Sequence, residues 1–148
     1  MLRTIVVVGT LLLGVGVVAA QQDQVAKTQL AMKSNGKNLT ALNQMVKGEK
    51  PYDQATVDAA LVGLEEVARK FATLFPDSIK GLKPEGDYYA SPKVWTERKD
   101  FEAHSTSFAK TVSEIKGKIK DLDSLKAAAP TLIKECSGCH ETYRIKNS

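Results

Sequence analysis

Two cysteines and a histidine carry the most specific chemistry in this chain. They stand in Glu135-Cys136-Ser137-Gly138-Cys139-His140, and no other cysteine occurs. Cys-x-x-Cys-His is the attachment signature of a c-type haem. The spacing suits the reaction. Two thiols one helical turn apart can add to the two haem vinyl groups as thioethers, and the next residue brings an imidazole to the iron as proximal ligand. Other uses of a thiol pair fit less well. A thioredoxin-like redox pair needs an α/β scaffold with a strand before the motif, and no strand pattern precedes it. A structural zinc site takes four ligands, and beyond His140 only His104 could help. A disulfide is ordinary in an oxidising compartment, but across so short a loop it staples little. The expected cofactor is therefore one covalently bound haem c. Cys136 and Cys139 are its thioether donors and His140 an axial iron ligand.

The elements that must position this motif are helices. Val25, Met32, Leu39 and Val46 recur every seven residues. Val57, Leu61, Leu64, Ala68, Phe71 and Phe75 follow a 4-3-4-3-4 spacing. Phe101, Phe108 and Ile115 repeat every seven, with Val112 and Ile119 interleaved. Leu125, Ala129, Leu132, Cys136, Cys139 and Tyr143 again follow 4-3-4-3-4. Each set is one apolar stripe on an amphipathic helix, and no segment alternates with period two. The punctuation agrees. Gly48 to Pro51 breaks the chain after the first stripe, and Asp53 can cap the second helix. Pro76 to Ser91 reads as a loop of about 16 residues, rich in Pro, Gly and Asp. Ser91-Pro92 reads as N-cap and first residue of the third helix, and Asp121 to Ser124 as a turn and cap for the fourth. Pro130 admits two readings: a kink within helix four, or a short turn with the main helix starting near Pro130. The expected fold is all-α, an up-down-up-down antiparallel four-helix bundle.

The opening residues address the compartment. Arg3 gives a positive n-region, Ile5 to Val18 is an apolar run, and Val18-Ala19-Ala20 places small residues at a cleavage site. The run is about 14 residues, short of the ~20 that span a bilayer. Residues 1–20 thus read as a cleaved signal peptide, with an uncleaved anchor as the competing reading. Residues 21–148 form one domain that works in the periplasm, exported and soluble, with no stable membrane insertion after cleavage. Without Arg3, 20 basic and 17 acidic residues leave a net charge near +3. The lysines are scattered and lack aromatic interleaving, which argues against nucleic acid. A mildly basic surface can still steer an acidic protein partner.

A haem held by His140 presents a second axial position. In such a bundle, helix four lies antiparallel beside helix one. His140 lies about six residues, or ~9 Å, from the end of helix four, and Met32 about eight residues, or ~12 Å, from the start of helix one. The two depths match. Met45 lies ~20 Å further along, at the wrong end. Met32 is on the apolar stripe, and Gly36, one turn on, leaves room for a macrocycle at a helix cost of roughly 0.5–1 kcal/mol. Methionine also serves as core filler, and His104 is the other candidate ligand, although it flanks the third stripe toward solvent.

The whole of residues 21–148 resembles the class II c-type cytochromes, the four-helix cytochrome c′ family. The resemblance lies in Cys136-Ser137-Gly138-Cys139-His140 followed by Tyr143-Arg144, in Pro92-Lys93-Val94-Trp95, and in Lys27-Thr28-Gln29-Leu30-Ala31-Met32-Lys33. It implies one of two branches. One is high-spin and five-coordinate, and binds nitric oxide or carbon monoxide. The other is low-spin, carries electrons, and has a helix-one methionine as sixth ligand. The stretches Gln21-Gln22-Asp23, Gly48-Glu49-Lys50-Pro51-Tyr52-Asp53 and Leu74-Phe75-Pro76-Asp77-Ser78 look closer to the low-spin branch. Many high-spin members have an arginine four residues before the distal position, near a haem propionate, and here Thr28 stands there. Arg144 matches the family's arginine near the proximal histidine, where it would influence the imidazole.

The expectation is a monohaem one-electron carrier, not an enzyme, with His140 and Met32 as axial ligands. The alternative is a five-coordinate gas-binding cytochrome c′. A third reading is a haem-free helical stress-binding module. The chain holds no acid–base pair or nucleophile constellation, so no catalytic residue is expected. Its expected partners are redox proteins, an unidentified donor and acceptor, and the sequence leaves room for a homodimer.

Overall fold

A computed structural model describes residues 12–147, with side chains from Val18 onward. Arg3 and much of the apolar run of the expected signal peptide lie outside the described residues. The chain forms α1 (Leu12–Val46), α2 (Gln54–Lys70), β1 (Tyr88–Ala90), α3 (Lys93–Thr96), α4 (Arg98–Ile115), α5 (Leu122–Tyr143) and β2 (Arg144–Lys146), with 3₁₀ turns at Phe71–Leu74 and Asp77–Ile79. The four long helices pack in chain order, and α5 closes back on α1. This is the expected antiparallel four-helix bundle.

Local chemistry sets the boundaries. Gly48, at φ 75°, makes the turn after α1, a left-handed conformation that costs glycine little. The Asp53 carboxylate accepts from the Thr56 amide at 2.8 Å and caps α2. Asp121 and Ser124 form a reciprocal capping box at the start of α5. Helix α5 runs unbroken through Pro130, so it starts at Leu122 rather than near the proline.

Two features depart from the sequence reading. The third helix is in two pieces. Ser91 Oγ does accept from the Lys93 amide at 3.3 Å, but the helix breaks at Glu97, whose φ −115° and ψ 43° are not helical, before α4 resumes. The long loop is also not wholly irregular. Its β1 pairs antiparallel with β2, with Tyr88 opposite Lys146, Tyr89 opposite Ile145 and Ala90 opposite Arg144. The Ser91 amide extends this ladder to the Tyr143 carbonyl at 2.9 Å. Three-residue strands are too short to show alternation.

The core is divided. One apolar cluster fills the end of the bundle near the α1–α2 and α4–α5 turns, built on Leu42, Met45, Leu61, Val112, Leu125 and Leu132. A second, aromatic cluster sits at the other end around Phe75, Val94, Phe101 and Tyr143. The Phe101 ring lies 5.2 Å from the rings of Phe71 and Phe75 and 5.1 Å from that of Tyr143. Such spacing is in the range of favourable aromatic pairing.

A haem-sized cavity between α1 and α5

Beside the aromatic cluster, the bundle holds a cavity of about 910 Å³. That is at the upper end of ligand pockets, which span about 300–1,000 Å³. Helix α5 supplies Cys136, Cys139 and His140 to its wall, and α1 supplies Met32, Asn35 and Gly36. The helical period explains the placement. Cys136 and His140 are four apart on one face of α5, as Met32 and Gly36 are on α1. The four residues expected to hold a haem are therefore brought to one space from two packed helices.

The remaining candidates separate clearly. Met45 is 2% exposed in the turn-end cluster and does not line the cavity. His104 does not line it either. It sits on α4, half-buried, with Nε2 4.0 Å from Asp100 Oδ2 and its ring 5.6 Å from that of Tyr143. Thr28 does line the cavity. Its hydroxyl donates to the Leu74 carbonyl at 2.6 Å, with the Gln24 carbonyl 3.0 Å away, so it ties α1 to the 3₁₀ turn.

The thiols and the imidazole are in the protonation states that attachment and ligation start from. Both cysteines are free and half-buried. Burial, the neighbouring Cys136 and Glu135 push the Cys139 thiol up to about 11, and burial and Glu135 push Cys136 up as well. Both are neutral thiols at pH 7. Burial, reinforced by the Arg144 charge, holds His140 below its ordinary value, which leaves a neutral ring with a free lone pair. Iron ligation needs that form. Arg144 also lines the cavity, and its guanidinium lies 4.2 Å from the centre of the Tyr88 ring.

Two further observations test the fit of a macrocycle. A side-chain carbon placed on Gly36 would meet nothing within 4 Å, so α1 leaves open space at that level. Asn35 lines the same cavity, and its Oδ1 is buried with no hydrogen-bond partner. A buried polar atom left unpaired costs about 1–3 kcal/mol, which suits a site completed by a bound group. Among the described residues, no three His, Cys, Asp or Glu side chains gather to hold a bare metal ion. The residues present fit a haem.

Sequence reasoning missed the rim. The segment 82–90 crosses the cavity mouth with Leu82, Gly86, Tyr88 and Tyr89 on its lining. It is tied down by Gln29 Nε2, which donates to the Glu85 carbonyl at 3.0 Å, and by the Asn147 side-chain amide, which donates to the carbonyls of Pro84 and Gly86. The one sequence signal was the Tyr88-Tyr89 pair, which favours strand.

Comparison with known proteins agrees with this site. A profile of the family described as Cytochrome C′ matches residues 23–144. A cytochrome c-556 of Rhodopseudomonas palustris is 54% identical over 99% of both chains. A cytochrome c-555 of Bradyrhizobium diazoefficiens is 42% identical over 99% of both. The solved structure of oxidized R. palustris cytochrome c556 superposes with a TM-score of 0.76 at 53% identity, covering 86% of this chain and 99% of that one. Cytochrome c′ from the same organism gives 0.78 at 30%, covering 85% and 98%. The chain thus belongs to the cytochrome c′ family, as a monohaem c-type cytochrome with one covalently attached haem c, and is not a classical enzyme.

Proposed function

We propose that the protein is a low-spin one-electron carrier of the periplasm, with haem c bound through Cys136 and Cys139 and ligated by His140 and Met32. The observation that carries this reading is that Met32, on α1, and His140, on α5, line one cavity with both thiols. The haem supplies one-electron ferrous–ferric chemistry. The chain does the rest. Two thiols fix the group to α5. The neutral His140 offers one lone pair, and the Met32 thioether a second. Thioether sulfur is a soft donor that favours the ferrous state and raises the potential. The aromatic cluster and the 82–90 rim border the site with apolar side chains that lower its dielectric. The 54% identity to a cytochrome c-556 supports the reading. The 34% identity to the R. palustris cytochrome c′ supports the gas-binding alternative more weakly.

Visible spectra in both oxidation states test the ligand set. The wild type is expected to be low-spin and not to bind carbon monoxide. Met32→Ala should turn high-spin and bind it rapidly, Met32→Leu should test size without sulfur, and Met45→Ala should change nothing. A wild-type ferric protein that is high-spin at neutral pH would falsify Met32 ligation and leave the gas-binding reading in its place. Cys136→Ala and Cys139→Ala should yield little holoprotein, and haem retained by the double variant through acid-acetone extraction would contradict thioether attachment. Export is read from Arg3, the apolar run and Ala20. It implies a mature chain starting at Gln21, and the intact mass of periplasmic protein decides between that and the full 148 residues. Among the described residues, no helix is long and apolar enough to cross a membrane.

A further inference from the structure

A second, shallower groove of about 560 Å³ runs along the outside of α1. Lys33, Lys37, Thr40 and Gln44 line it at helical spacing, and Lys50 closes its end from the following turn. Lys33 and Gly36 line both this groove and the cavity. Gly36, which carries no side chain, is thus a wall residue of both spaces.

The charge pattern of this face is one-sided. Between Leu30 and Gly48 the face carries Lys33, Lys37 and Lys47 and no Asp or Glu, and Glu49, next to Lys50, is the one acid within its bounds. Among the described residues, none of these lysines, nor Lys50, enters an ion pair. Helix α4, by contrast, pairs Arg98 with Glu102 and Lys110 with Glu114. Leu30, one turn before Lys33, is 65% exposed, which adds an apolar contact at the edge of the basic stripe. An unpaired basic stripe attracts an acidic partner over several ångströms and raises encounter rates. A concave groove also suits a protein's projecting acidic side chains better than a flat bilayer.

We propose that this face of α1, from Leu30 to Lys50, is the docking surface for an acidic one-electron redox protein, and that Gly36 marks where the electron crosses to the cavity. The exchange moves one electron and no atom. The partner that gives it is oxidised by one, and the one that receives it is reduced by one. The proposal rests on the electron-carrier reading.

Stopped-flow reduction of the ferric holoprotein by a singly reduced acidic flavodoxin tests it. The variant Lys33→Gln/Lys37→Gln/Lys50→Gln should lower the second-order rate constant at low ionic strength by about tenfold and flatten its salt dependence. Lys70→Gln/Lys99→Gln/Lys126→Gln, with the same change in net charge elsewhere, should leave the rate within about twofold of the wild type. Equal slowing by both triples would reduce the effect to net charge and overturn the proposal, as would no slowing by the first. If the first triple instead abolishes co-sedimentation with phosphatidylglycerol vesicles and leaves the flavodoxin rate intact, the lysines serve a membrane surface and the proposal falls. Failure of the carrier reading is seen separately, as a high-spin spectrum of the unmixed wild type.

Discussion

Replacing Gly36 with alanine should change the stability of the holoprotein in a direction that reports what fills the cavity. In the bare chain the arithmetic favours alanine. A mid-helix glycine costs about 0.5–1 kcal/mol relative to alanine, and the added carbon would meet nothing within 4 Å. Gly36→Ala alone would therefore stabilise α1 by about that much. With a macrocycle packed against Gly36, the same methyl group is overpacked, at a cost of about 1–3 kcal/mol. The net expectation is a loss of about 1 kcal/mol in the holoprotein, the difference of those two ranges at their centres. Urea unfolding of the holoprotein followed by far-UV circular dichroism measures it, and the visible spectrum shows whether the spin state changes. Ser34→Ala is the control. Ser34 is exposed on the same helix, so it should gain up to about 0.5 kcal/mol from propensity alone. If Gly36→Ala also gains 0.5–1 kcal/mol, roughly what the bare helix predicts, nothing packs on Gly36 and the reasoning about the cavity wall is refuted.

Other expectations follow from single features. Pro130 interrupts the backbone ladder of α5, so Pro130→Ala should raise stability by about 2 kcal/mol, the ~3 of a helical proline less its effect on the unfolded chain; an unchanged melting temperature would count against an unbroken helix there. Tyr143 donates to Asp100 at 2.6 Å, and Asp100 is 67% exposed. Tyr143→Phe should therefore cost only about 1 kcal/mol, below the 1.5–3 of a buried charged bond, and a loss above 3 would mean that the ring packing had changed too. The Asp53 and Asp121 carboxylates are held below their ordinary value by the Thr56 and Ser124 bonds. Native protein then binds fewer protons than unfolded chain in the window below about pH 4. Their contribution is complete above that pH and is lost as pH falls through the depressed folded values. Asp53→Asn/Asp121→Asn, which keeps cap acceptors without a titrating group, should flatten the acid limb of a urea-midpoint profile; an unchanged limb would place the acid sensitivity elsewhere.

The helices were legible because burial repeats along them. Leu61, Leu64 and Ala68 point inward at the spacing that the sequence displayed, and the side-chain caps at Asp53 and Asp121 are local bonds between residues three apart. The depth argument for Met32 needed only helix rise and topology. Met32 lines the cavity and Met45 lies in the turn-end core, at the two depths that argument assigned them. What stayed hidden depends on contacts far apart in the chain. Tyr88 meets Lys146 and Gln29 meets Glu85, and neither pairing leaves a periodic trace. The break at Glu97 is a backbone choice with no breaker residue beside it. Arg144 was expected near the proximal histidine, where it would influence the imidazole. It lowers the imidazole's affinity for a proton from the position where α5 ends and β2 begins, and the Tyr88 ring that its guanidinium lies on left no trace in the sequence.

The division of the core into two clusters has a consequence for how the protein is assembled. The turn-end cluster is closed by aliphatic side chains from all four long helices, and needs nothing from outside the chain. The aromatic end borders a space of about 910 Å³ that the chain cannot fill by itself. Free energy of local opening follows packing, so amide hydrogens of Leu61 and Leu125 should exchange last, whether or not the cofactor is attached. Those near Val25 and Cys139 should exchange fast until it is. A maturation enzyme would thus meet a bundle already clamped at one end and ajar at the other, with its two thiols on the side that opens.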